Sequence, residues 1–131
     1  MPYNIRKNKG VDLMPTAEQI NDARNYLIAK ENKLKETIIV TENILDSIGD
    51  YYKQNELQRK RRDLLVELQQ IDQTYAPKLA GLEFNEEALE NIANLAEYLW
   101  NIDDQITVKM QESKDLFRQA VAKAGEINPA E

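Results

Sequence analysis

The chain has 131 residues, a formal net charge of −6, and neither cysteine nor histidine. A disulfide framework, thiolate or imidazole metal ligation and the commonest general base are thereby excluded. No apolar run is long enough to span a bilayer or to serve as the core of a signal peptide, so a soluble protein is expected, cytoplasmic or incorporated in an assembly, with no membrane insertion.

Charged residues make up 31% of the chain against four glycines and four prolines, which favours long regular helices over a loop-rich fold. The acidic balance, with a pI near 4.8, argues against a dedicated nucleic-acid binder, because such a field repels phosphate.

Residues 1–15 carry neither helical nor strand periodicity and read as an extended arm, with Tyr3 and Ile5 as candidate contacts to a neighbouring subunit. Thr16 can cap a first helix over 16–48, with Glu18 and Asp22 near its positive end. Ile20, Leu27, Leu34, Thr41 and Ile48 recur every seven residues, interleaved with Ile38 and Leu45. Ile28 and Ile39 fall in line on a separate face and are second-rank interface candidates. Gly49 suits a left-handed C′ position and Asp50 can cap the next helix at once, so a tight αα-hairpin is expected.

The second helix is expected over 51–76, ended by Pro77, with the seam Leu57, Arg61, Leu64, Leu68, Ile71 and Tyr75. It contains QRKRRD (58–63), the stretch most suggestive of a nucleic-acid patch. Successive helical residues lie about 100° apart, so Arg59, Lys60, Arg61 and Arg62 fan around the helix instead of forming one face. Glu56 and Asp63 stand four residues from Lys60 and Arg59, in position to answer them. Arg61 alone falls on the apolar seam. PKLAGLEF (77–84) reads as a loop, and no strand is expected.

Asn85 can cap a third helix over 86–124, whose seam holds register from Leu89 to Ala124 with a single charged intruder, Asp103. Aligning the helices across the second loop brings Arg61 to the level of Asp103, predicting an interhelical ion pair that fixes register. Trp100 beside the seam reads as partial core. Gly125 closes the helix and 125–131 form a tail. The fold class is all-α, an antiparallel three-helix bundle with an N-terminal arm and an overhanging third helix.

The second helix spans about 26 residues and the third about 39, so the last part of the third, ESKDLFRQAVAKA (112–124), extends past the hairpin tip. Its apolar residues Leu116, Phe117 and Val121 have nothing else in the chain that easily covers them and are the leading interface candidates, the alternative being a helix that bends near Ser113 and folds the segment back. No nucleophile–base pair, metal cluster, phosphate loop or cofactor motif is present in the sequence, so no catalytic, cofactor-binding or metal residue is assigned and the protein is expected not to be an enzyme. The expected function is a non-catalytic structural or adaptor subunit of a larger assembly, such as a virion, tail or secretion apparatus, with copies of itself or other subunits as partners. A small acidic helical chaperone or regulatory binding protein is the alternative. A nucleic-acid-associated protein using the arm and the RKRR stretch is the third reading.

Overall fold

The structure is a computed structural model that describes residues 5–7, 15–84 and 86–127, with side chains in 15–84 and 86–125. It is an all-α three-helix bundle. The elements in chain order are β1 (Ile5–Lys7), α1 (Ala17–Asp46), α2 (Tyr51–Leu79), β2 (Leu82–Phe84) and α3 (Glu86–Ile127).

Local chemistry sets the helix ends. Thr16 is the N-cap of α1: its hydroxyl accepts from the Gln19 amide at 3.1 Å, and Gln19 Oε1 accepts from the Thr16 amide at 2.9 Å. This reciprocal capping box satisfies two otherwise orphaned donors. α1 stops at Asp46, two residues short of the expected end. The Ser47 amide bonds back to the Ile44 carbonyl, and the Asp50 amide to the Ser47 carbonyl, closing a turn around Gly49 at φ +106°. Asp50 caps α2 by accepting from the Lys53 amide at 3.1 Å.

Pro77 does not stop α2, which continues to Leu79. A proline costs one backbone hydrogen bond but its fixed φ is itself helical, so one in the final turn is tolerated. The chain leaves the helix at Ala80, and Gly81 at φ +83° redirects it. Similarly, α3 runs through Gly125 to Ile127, ending just before the Asn128–Pro129 step that disfavours helix. The expected cap Asn85 lies outside the described residues.

The expectation of no strand is corrected as well. Leu82–Phe84 pairs antiparallel with Ile5–Lys7, placing Ile5 opposite Phe84. Strands of three residues show too few alternations for a period of two to be read from sequence. Part of the arm is thus held by the chain's own α2–α3 connection.

α1 packs against both other helices. Its buried face is correspondingly broad: Val40 and Ile44 join the expected Leu27, Leu34 and Ile38. α2 buries a single stripe, with Leu64 buried and Leu57 and Leu68 half-buried against the core. α3 contributes Leu99, Ile102 and Ile106, with Ile92, Leu95 and Met110 packed around them. Leu89, expected on the seam, is exposed near the start of α3, and Trp100 is also exposed. Thr37 and Thr41 are fully buried, their hydroxyls donating to the Lys33 and Thr37 carbonyls at 2.8 and 2.7 Å. Back-bonding to the preceding turn is what lets hydroxyls enter an apolar face.

Candidate functional site

The three helices share one polar junction. Arg61 on α2 places Nη2 2.8 and 2.7 Å from the two carboxylate oxygens of Asp103 on α3. Its Nε donates to the Thr41 hydroxyl on α1 at 3.1 Å. The guanidinium therefore ties all three helices at one level, and the Thr41 oxygen both accepts from it and donates to the Thr37 carbonyl. Side-chain exposures of 21% for Arg61 and 36% for Asp103 place the pair at the edge of the core and not within it. Ile44, Gln58, Ile106 and Thr107 complete a small cleft of about 170 Å³ beside it.

The remaining bases of QRKRRD point outward, and Arg59, Lys60 and Arg62 are exposed. Among the described residues, neither Glu56 nor Asp63 forms an ion pair with them, contrary to the sequence expectation. Lone exposed pairs one turn apart gain too little to hold two long side chains in one geometry.

Other ion pairs stitch α1 to α2. Lys30 contacts both Asp72 and the Tyr26 hydroxyl at 3.1 Å, and that hydroxyl donates to Asp72 at 2.8 Å. Burial raises the Tyr26 pKa above its ordinary value. Burial also works to lower that of Lys30, but the hydrogen bonds to Tyr26 and Asp72 outweigh it and the net shift is upward. Lys33, 2.9 Å from Glu67, is raised chiefly by that contact. Tyr98 on α3 reaches Glu42 on α1 at 3.1 Å, which raises its pKa. Tyr26 also packs against Tyr75 and Phe84, with ring centroids 5.7 and 6.1 Å away, so this aromatic group anchors β2 to the bundle.

At the opposite end the packing stops while the helix goes on. Every residue of α3 from 111 to 125 is exposed. Within this overhang Leu116, Phe117 and Val121 are 66, 71 and 56% exposed. They are not scattered. Ile92, Leu99 and Ile106 recur every seven residues on the buried face, and Ser113 and Ala120 continue that row. Phe117 and Ala124 continue the parallel row of Asp103 and Met110. The core-facing rows of α3 therefore run on into solvent in register, with Ser113 and Ala120 as their small members and Phe117 as the large one.

The other side of the overhang is polar and internally bonded: Gln111 donates to Asp115 at 3.0 Å, and Arg118 stands 3.8 Å from the same carboxylate oxygen. A helix apolar on one face and tied together by charges on the other is amphipathic whether or not a partner is present. Where the overhang begins, the hairpin tip leaves an open cleft of about 290 Å³, bordered by Ile48, Gly49, Tyr51 and Gln54 on one side and Met110 and Ser113 on the other. The Gln54 side-chain nitrogen is buried there without a hydrogen-bond partner. Tyr51 and Tyr52 are exposed beside it, edge to face at 6.1 Å.

Comparison with protein families, curated proteins and solved structures finds no match. What the surface can do is therefore read from its own chemistry.

Of the other sequence candidates, Ile28 and Ile39 are exposed on α1. Ile5 lies in β1, whose backbone pairs with β2, and Tyr3 lies outside the described residues. The Ser47 hydroxyl is engaged with the Asn43 carbonyl at 2.6 Å, and the Asp103 carboxylate with Arg61. Among the described residues no group of acidic side chains could hold a metal ion, and no helix is long and apolar enough to cross a membrane. Sequence reasoning missed the cleft at the hairpin tip and the β1–β2 pairing. The cleft has no sequence signal, because it arises from where two helices end beside a third that continues.

Proposed function

We propose that the chain is a non-catalytic structural or adaptor subunit of a larger protein assembly, of the kind that builds a virion, a tail or a secretion apparatus. It binds neighbours through the bare apolar face of α3, with the N-terminal arm as a second point of attachment. The observation that carries this reading is the exposure of Leu116 and Phe117 on a direct continuation of the core stripe. A free helix end gains nothing from such a face, whereas a partner that covers it removes apolar surface from water at about 25 cal/mol per Å².

The test is light scattering after size exclusion, on the intact chain and on one ended after Glu112. The shortened chain keeps every buried residue, since the last lie at Ile106 and before. An intact chain that is oligomeric and a shortened one that is monomeric support the proposal. Two compact monomers would overturn it in favour of a small acidic chaperone that masks a partner's amphipathic helix transiently.

A further inference from the structure

We infer that the occupant of the α3 stripe is the same stripe of a second copy, lying end-for-end across residues 110–124 of each chain; this rests on the assembly reading above and names its partner.

Steric exclusion sets the direction. The apolar face of α3 is already occupied by α1 and α2 up to Met110 and is exposed from 111 onward, with Ser113 and Leu116 bordering open clefts at the hairpin tip. A second α3 laid parallel on the bare part would have to continue, at its own lower residues, through the space that α1 and α2 fill. Laid antiparallel, its own bundle lies past the far end of α3, away from the space that α1 and α2 fill. The hairpin tip at Ile48–Tyr51 then acts as a stop, so the overlap is limited to the overhang and the partner's last turn closes on the cleft at Met110.

Side-chain size and charge agree with that direction. In an antiparallel pair the two core rows face each other crosswise. With the two-fold axis between residues 118 and 119, Phe117 of one copy meets Ala120 of the other, and Ser113 meets Ala124. Each large ring faces a small residue, so the helices can approach closely. On the flanks Leu116 faces Lys123 of the second copy and Val121 faces Lys114, and in both cases an aliphatic lysine stem can cover an apolar neighbour while its ammonium stays in water. No like charges meet. An in-register parallel pair would instead stack Phe117 on Phe117 and set Lys109 against Lys114, a repulsive flank.

The absence of cysteine makes the geometry directly readable. Ser113→Cys and Ala124→Cys are prepared as separate full-length chains, both at exposed positions, and oxidised with diamide singly and after mixing. In the end-for-end pair each introduced thiol lies about 16 Å from its own copy, outside disulfide reach, while residues 113 and 124 of different copies are level. The expected result is a covalent dimer in the mixture and only monomer from either variant alone. Phe117→Glu should abolish the non-covalent dimer and return the 15.2 kDa mass, with helical ellipticity unchanged. Cross-linking of Ala124→Cys with itself would overturn the direction. An oligomer that is lost on ending the chain at Glu112 but gives no mixed cross-link would overturn the pairing and leave the assembly reading intact. A chain monomeric at every concentration would overturn both.

Discussion

The two parts of α3 carry one pattern and meet two fates. From Ile92 to Met110 the stripe packs against α1 and α2; from 111 to 125 the same spacing stands in water. The helical register does not change at the border, where Ser113 and Phe117 stand in line with Ile106 and Asp103, although the side chains in the Ile106 row become smaller. The border is imposed by Gly49, seven residues after Glu42 and far from α3 in sequence, where the hairpin turns back. Periodicity thus reports which face of a helix wants cover. Whether the cover comes from the same chain is decided by the lengths of its neighbours.

The largest expected contrast between the two parts is energetic. Ile44→Ala, at a side chain with 0% exposure, should destabilise the fold by about 2–4 kcal/mol, read as a lowered urea midpoint at unchanged slope. Phe117→Ala, measured in dilute solution where chains are separate, should shift stability by no more than about 0.5 kcal/mol. Equal losses would mean that the overhang folds back on the bundle.

Arg61→Ala comes next, at about 1–2 kcal/mol. The removal strands Asp103, but that carboxylate is 36% exposed and water partly replaces the guanidinium, so the penalty stays below that of a fully buried ion. Replacing Arg61 and Asp103 together by leucine should be neutral or stabilising. A double-mutant cycle without coupling would mean that the pair does not set the register of α2 against α3. Gly49→Ala should cost about 1 kcal/mol, because φ +106° is strained for an L side chain even though open space surrounds the position. A negligible loss would show that the turn which ends the cover is not conformationally fixed.

The smallest effect is alkaline. Tyr26 and Lys30 are both raised above their ordinary values of 10.0 and 10.5, so the fold favours their protonated forms. Their contribution is fully present below those values and is lost as pH rises through the folded-state ones. Melting temperature should show no pH dependence from these two groups between about pH 7 and 9 and should fall above about pH 10. Asp72→Asn removes a partner that raises both groups and should shallow that fall, whereas the same pH scan should leave the overhang's association untouched. An unaltered alkaline slope in the Asp72 variant would mean that this network contributes nothing to holding α1 against α2.

Much of this architecture was legible beforehand. Thr16 and Asp50 announce their helices because capping chemistry is local, and Gly49 announces the hairpin because few residues tolerate a positive φ. The Arg61–Asp103 pair was legible because each charge breaks an otherwise apolar row and helix lengths bring the breaks level. The width of the buried face on α1 was not, since Val40 and Ile44 lie off the seven-residue row and are buried only because α1 has two neighbours. The exposure of Leu89 was likewise hidden, because a wheel position cannot tell how far down a helix its neighbours reach; Trp100 is exposed although Leu99 and Ile102 beside it are buried, since it sits on the flank of the stripe. Strand pairing of IRK with LEF depends on bringing residues 5 and 84 together, which no local pattern encodes.

Trp100 has an optical consequence. It is the only tryptophan and is 69% exposed on the outer side of α3, off the stripe that α1 and α2 cover. Its indole is bathed in water before and after unfolding, so its emission is a poor witness to loss of the fold, which ellipticity will record far better. The same property makes it a selective reporter: end-for-end contact across residues 110–124 leaves the indole uncovered, whereas a blue shift in its fluorescence would announce that something has settled on the flank of α3 that carries it, lower along the bundle.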